Sequence, residues 1–240
     1  LDMPTNALSV SSGKVIYLDD KQETLGLVYR VIYEREDGNG YLADVFFTRS
    51  YDLGKNWEDP IKLVTDIYPD TYGGGTSGNS ITRLSNGRIL YSYTAREYQH
   101  DDWGHPSNTH FREYINAVVF YSDDEGYTWT RADNSVILPQ NVDETSIAEL
   151  DNGDLLLTIR TRDENAVYQS ISTDNGVTWA QPVAVDGMDT PSSTNTIVTI
   201  PSTGDVMIVW NNQPYDPSNG NGTRKRLHRA TTRRSLVSLF

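Results

Sequence analysis

An eight-residue motif, Ser-x-Asp-x-Gly-x-x-Trp, occurs three times in this 240-residue chain and constrains its fold more than any other feature. The Asp carboxylate can accept hydrogen bonds from N–H groups of its own turn, and the Gly allows a positive φ. Apolar and β-branched residues precede each copy, so we predict a hairpin turn whose Trp packs in the core. The predicted structural residues are Ser50, Asp52, Gly54, Trp57, Ser122, Asp124, Gly126, Trp129, Ser172, Asp174, Gly176 and Trp179.

A second pattern alternates with the first and has the form strand, tight turn containing Gly, strand. It occurs at residues 80–91, 146–157 and 196–207, with a looser copy near the start of the chain. Combining the two patterns predicts repeated units of four strands, which is typical of β-propeller blades. The predicted units span about 1–65, 66–135, 136–185 and 186–223.

Composition excludes several classes of protein. The absence of Cys excludes disulfides, thiol catalysis and Cys zinc sites, and the net charge of −13 argues against nucleic-acid binding. Because no apolar run approaches the roughly 20 residues of a spanning helix, we expect no membrane partner. The segment 224–240 is instead basic, with six Lys and Arg residues and no acid. We interpret it as an aberrant tail, of shifted reading frame or foreign origin, that replaces an expected strand and motif.

The repeated turns resemble the Asp-boxes of the sialidase superfamily, whose fold is a six-bladed β-propeller. The resemblance covers residues 6–224 and implies an all-β fold with about four blades represented in this chain. Residues 144–160 resemble a sialidase segment in which a catalytic Glu opens one strand and a substrate-binding Arg ends the next. Residues 210–214, followed by Arg224, resemble the segment that carries another binding Arg.

The resemblance implies roles for three residues. Glu144 would be the base that takes a proton from a Tyr nucleophile, while Arg160 and Arg224 would bind the carboxylate of sialic acid. Strand topology predicts that all three lie near the axis, at the end opposite the Asp-box turns. Other interpretations remain open, since Glu144 could only cap a strand and Arg160 could belong to a solvated ion-pair cluster at 160–164.

The chain departs from the family pattern in three places. It has no Arg-Ile-Pro segment for the first Arg, no clear match for the acid/base Asp, and no match for the nucleophilic Tyr after the last Arg. We therefore expect a fragment of a six-bladed propeller that has little or no catalytic activity alone.

The expected activity of the whole protein is that of an exo-α-sialidase that releases terminal sialic acid from glycoconjugates. The alternatives are a non-catalytic glycan-binding propeller and a sialidase-fold glycosidase acting on another sugar. The expected partners are sialylated or other glycans, without a metal or other cofactor, and a secreted or periplasmic location is favoured.

The longest predicted loop runs from Glu97 to Arg112. It could form a lid that sets glycan specificity, a His/Asp metal site, or simply a solvated loop. The residues that suggest the first two possibilities are His100, Asp101, Asp102, Trp103, His105 and His110.

Overall fold

The computed structural model describes residues 7–34, 41–63, 80–99, 112–134, 136–138, 142–161, 166–190, 193–212 and 228–232. These residues form strands joined by turns and loops, which confirms the predicted all-β class. Within the described ranges, no helix is long and apolar enough to cross a membrane.

The strands form four antiparallel sheets that follow one another along the chain. Sheet 1 contains β1 (Ala7–Tyr17), β2 (Leu25–Glu34), β3 (Tyr41–Ser50) and β4 (Ile61–Lys62). Sheet 2 contains β5 (Ile81–Arg83), β6 (Ile89–Gln99), β7 (Arg112–Ser122) and β8 (Thr130–Arg131). Sheet 3 contains β9 (Val142–Glu149), β10 (Leu155–Thr161), β11 (Ala166–Ser172) and β12 (Val183–Asp189). Sheet 4 contains β13 (Thr196–Thr199), β14 (Val206–Trp210) and β15 (His228–Thr232).

Apolar side chains pack the sheets face to face in chain order. One core cluster joins sheets 1 and 2, a second joins sheets 2 and 3, and a third joins sheets 3 and 4. The strand β10 contributes to two of them, because Leu155 faces sheet 2 and Leu156 faces sheet 4. The first strands also lie side by side, β1 next to β5, β5 next to β9, and β9 next to β13.

Strand register places the two kinds of turn at the same end of each sheet. The first residue of the second strand pairs with the motif Ser at the end of the third strand in sheets 1, 2 and 3. The pairs are Leu25 with Ser50, Ile89 with Ser122, and Leu155 with Ser172. We call this end of the sheets the Asp-box end and the opposite end the far end.

Three sequence expectations need correction. The boundary expected at residue 185 falls inside β12, so the third unit continues to Asp189. The basic tail contains β15, which pairs with β14 and supplies a strand that we expected to be missing. Gln99 and Arg112, expected in a loop, pair as the ends of β6 and β7.

Candidate functional site

The motif turns are held by bonds from the Asp and Ser side chains. In the second copy, Asp124 Oδ1 accepts from Thr128 N at 2.8 Å and Oδ2 accepts from Thr128 Oγ1 at 2.6 Å. Ser122 Oγ donates to Asp124 Oδ1 at 2.8 Å and accepts from Gly126 N at 2.8 Å. The turns after Ser50 and Ser172 repeat these contacts. The predicted turn chemistry is therefore present in all three copies.

One feature of these turns was not expected from the sequence. The residue before each motif Gly also has a left-handed backbone, with φ of +58° at Leu53, +56° at Glu125 and +58° at Asn175. A positive φ at a residue with a side chain costs conformational energy, and the hydrogen bonds of the turn must offset this cost. The motif gave no signal for it, because this position varies in residue type.

The motif carboxylates are ionised structural groups. A backbone hydrogen bond from Asn56 is the largest cause that lowers the pKa of Asp52, to about 2. For Asp124 and Asp174, partial burial is the largest single influence and raises the pKa, but the combined hydrogen bonds outweigh it and the pKa is lowered. A carboxyl group with a lowered pKa is a poor proton donor at neutral pH, so these groups stabilise turns.

The motif tryptophans pack within the fold at the Asp-box end. The Trp129 ring meets the Phe47 ring edge-on at 5.2 Å between centroids, and its Nε1 donates to Gly126 O at 3.1 Å. Trp57 Nε1 makes the matching bond to Gly54 O at 3.0 Å. Trp179 is buried in the cluster between sheets 2 and 3. Trp179 is therefore a core residue, as predicted, whereas Trp129 only packs against the cluster between sheets 1 and 2 and Trp57 is half-buried outside the core clusters of the described residues.

At the far end, sheet 3 brings Glu144 and Arg160 together. Ile159 pairs with Thr145 and Thr161 pairs with Val142, so both Asp143 and Glu144 lie opposite Arg160. Two residues opposite one form a β-bulge, which bends the strand and redirects its side chains. The bulge brings two carboxylates to one guanidinium.

The resulting cluster is a partly buried ion-pair triad. Arg160 Nη1 donates a hydrogen bond to Glu144 Oε2, and it lies 3.4 Å from Asp143 Oδ2. The side chains of Arg160, Glu144 and Asp143 are 13%, 18% and 11% exposed. Charge-assisted bonds strengthen in such surroundings, and the remaining exposure leaves the guanidinium within reach of a ligand. The cluster can bind an anionic or hydroxyl-rich group and can hold a carboxylate base in position.

Sequence reasoning missed one member of this cluster. No role for Asp143 follows from the sequence, and its contact with Arg160 depends on the bulge. The signal available was the adjacent Asp143-Glu144 pair, which strand alternation alone would place on opposite faces. Arg224 and residues 100–111 of the expected loop lie outside the described residues.

A separate cleft of about 710 Å³ opens at the Asp-box end, lined by the tight turns of sheets 2, 3 and 4. Its charged groups are already engaged. Glu149 accepts from Ser85 N at 2.7 Å and Ser85 Oγ at 2.6 Å, and Arg83 pairs with Asp20 at 2.7 Å. These bonds join neighbouring turns, so we place the candidate site at the Arg160 cluster instead.

Comparisons with known proteins identify relatives of this chain. The model of the BNR repeat-like domain family matches residues 5–238. The anhydrosialidase of Macrobdella decora is 33% identical over 151 residues, which cover 60% of this chain and 17% of that protein. A sialidase of Vibrio cholerae is 28% identical over 124 residues, which cover 44% of this chain and 14% of that protein.

Solved structures show the same relation at the level of the fold. The Hadza microbial sialidase Hz136 matches with a TM-score of 0.63 at 16% identity, over 86% of this chain and 41% of that chain. The chain thus spans less than half of that sialidase and only 14% and 17% of the two curated relatives. Since its family model covers nearly the whole sequence, the chain belongs to the BNR repeat-like proteins of the sialidase superfamily.

Proposed function

We propose that this chain is part of an exo-α-sialidase-like glycoside hydrolase, with its glycan site at the far end of sheet 3. The observation that carries the proposal is the contact between Arg160 and Glu144 across β9 and β10. Support comes from the relatives named as sialidases and from the fold shared with a solved sialidase. The four stacked sheets correspond in this proposal to about four blades of a six-bladed propeller.

The proposed role of Arg160 is to bind the carboxylate that sialic acid carries on its anomeric carbon. A planar guanidinium offers paired N–H donors that match a carboxylate, and partial burial strengthens such bonds. This chain carries a net charge of −13, so attraction of an anionic sugar must be local to this side chain. Arg224, outside the described residues, would add a second clamp.

The proposed role of Glu144 is that of a general base. When the ligand carboxylate binds Arg160 in place of Glu144, Glu144 Oε2 becomes available to accept a proton from a hydroxyl nucleophile. In sialidases a Tyr serves as that nucleophile, an exception among glycosidases. Asp143 stays beside Arg160 and limits how far the guanidinium can move.

The proposal is tested by titrating the chain with N-acetylneuraminic acid in a calorimeter. The matched control is Arg83→Ala, at the Asp-box end, because it also removes a guanidinium that is paired with a carboxylate. Arg160→Ala should weaken binding at least tenfold, since it removes a charge-assisted contact of about 1.5–3 kcal/mol. Equal affinities for the Arg160→Ala and wild-type chains would refute the assignment.

A second candidate is a sialidase-fold glycosidase acting on a neutral sugar. Asp143 favours it, because a guanidinium already flanked by two carboxylates attracts a third one less strongly. An arabinose disaccharide distinguishes the two proposals in the same titration. Binding of this disaccharide that survives Arg160→Ala, without binding of N-acetylneuraminic acid, would favour the neutral-sugar enzyme.

A further inference from the structure

Four buried polar atoms line the seam between sheets 3 and 4 without a hydrogen-bond partner in the described part of the chain. They are Thr158 Oγ1, Trp210 Nε1 and both Oδ1 and Nδ2 of Asn195. The residues are 1%, 7% and 2% exposed, respectively. Burying a polar group without a partner costs free energy comparable to a lost hydrogen bond, so such groups call for an explanation.

Strand alternation places these side chains on facing surfaces. Thr158 shares a face of β10 with Leu156 and Arg160, and Leu156 packs in the cluster shared with sheet 4. On sheet 4, Trp210 belongs to the same cluster. The pairing of Thr196 with Val209 places Asn195, one residue before β13, opposite Trp210. All four atoms therefore lie between the two sheets.

The seam reaches the level of the Arg160 cluster. Ser146 Oγ accepts from Ile197 N at 3.1 Å and donates to Ile197 O at 3.3 Å, which fixes β9 beside β13. Glu144 lies two residues before Ser146, and Asn195 lies two residues before Ile197. The contact between Ser146 and Ile197 therefore places Asn195 level with Glu144. Thr158 lies one step below Arg160 on the same face of β10. The unpartnered atoms thus line the part of the seam next to the ion-pair triad.

The two faces of β10 differ between Leu155 and Ile159, although the interface with sheet 2 also holds one atom without a partner among the described residues, Trp179 Nε1. The face of β10 toward sheet 2 carries Leu155, Leu157 and Ile159, all fully buried in an apolar cluster. An apolar residue at 158 or 195 would satisfy packing at least as well. Retaining hydroxyl, amide and indole groups at this position is explained if a bound group supplies their partners.

We propose that Thr158, Asn195 and Trp210 form a polar subsite for a substituent of the sugar bound at Arg160 and Glu144. Asn195 presents an acceptor and two donors, Trp210 a donor, and Thr158 either. The matching substituent both donates and accepts, as an amide or a pair of neighbouring hydroxyls does. This inference rests on the proposed glycan site and adds the residues that select among sugars.

The test uses Thr158→Val and Asn195→Leu, with Ser80→Ala as the matched control. Ser80 Oγ is also buried without a partner among the described residues, but it precedes β5 in sheet 2, outside the seam. The readouts are the urea midpoint without ligand and calorimetric affinity for N-acetylneuraminic acid and for an arabinose disaccharide. We expect unchanged or higher midpoints for both seam variants and about tenfold weaker sugar binding, with unchanged affinity for Ser80→Ala.

Several outcomes overturn the subsite. Seam variants that bind the sugar as tightly as wild type would refute it, and Arg160→Ala would then show separately whether the glycan site stands. Lower midpoints for both seam variants would show that their polar atoms already stabilise the unliganded fold. If only the disaccharide binds, the sialidase proposal fails and the seam variants are judged on that sugar. If neither sugar binds wild type, both proposals fail.

Discussion

Asp124→Ala should destabilise the chain far more than removal of the neighbouring carboxylate by Asp123→Ala. Asp124 accepts three bonds, from Ser122 Oγ, Thr128 N and Thr128 Oγ1, at 2.6–2.8 Å. Bonds to charged groups contribute about 1.5–3 kcal/mol when buried. Because this turn is partly exposed, we take about 1 kcal/mol for each bond, or about 3 kcal/mol in total.

The control variant removes the same charge one residue earlier. Asp123 makes two bonds to Arg88, at 2.7 and 2.8 Å, but it is 60% exposed. An exposed ion pair contributes about 0–1 kcal/mol. The two variants should therefore differ by about 2 kcal/mol in the free energy of unfolding.

Urea unfolding followed by tryptophan fluorescence measures this difference. With a slope of about 2–3 kcal/mol/M, Asp124→Ala should lower the midpoint by about 1 M, and Asp123→Ala by less than half as much. Asp124→Asn keeps an acceptor oxygen and should fall between them. An equal or larger midpoint shift for Asp123→Ala would refute the view that the motif carboxylates hold the turns.

Three further perturbations test the same structure. Gly126→Ala should lower the free energy of unfolding by about 2–4 kcal/mol, because the new Cβ would overlap the Phe47 ring. In the control variant Gly153→Ala the φ is similar but the space is open, so the loss should be about 1 kcal/mol. Urea midpoints measure the difference. The pKa of Asp52 is lowered to about 2. The ionised carboxylate therefore contributes its full stabilisation of the fold above the usual Asp pKa of about 4, and this stabilisation is lost as pH falls through 2. Asp52→Asn should therefore lose less stability than wild type between pH 5 and pH 2, and a parallel loss of melting temperature would contradict this. Arg49→Lys should lower the free energy of unfolding by about 1–2 kcal/mol. The buried Arg49 guanidinium pairs with the Glu58 carboxylate at 2.7 Å and lies 3.5 Å from the ring centroid of Tyr127, in the turn after β7. An unchanged melting temperature would contradict this prediction.

Local chemistry explains what could be predicted from the sequence. The Asp-box turn is set by contacts within a few residues, so four fixed positions were enough to predict its hydrogen bonds. Alternating apolar residues and tight turns predicted the strands for the same reason. Glu144 and Arg160 could be placed at the far end from the direction of β9 and β10 alone.

Features that depend on register or sheet packing could not be predicted. The contact of Asp143 with Arg160 arises from a bulge that has no residue signature. The strand His228–Thr232 pairs through backbone groups, so the basic composition of its segment did not reveal it. The unpartnered atoms of Asn195 and Trp210 become visible only when sheet 4 packs on sheet 3.

Mapping the backbone amide shifts that change when N-acetylneuraminic acid is added tests most directly which end of the molecule binds a ligand. With the ligand at the Arg160 cluster, we expect changes at residues 142–146 and 158–161, together with 193–196 across the seam. The tight turns at 84–88, 150–154 and 200–205 should not respond. Changes confined to those turns would place the ligand in the cleft at the Asp-box end and would refute the glycan site proposed at Arg160 and Glu144.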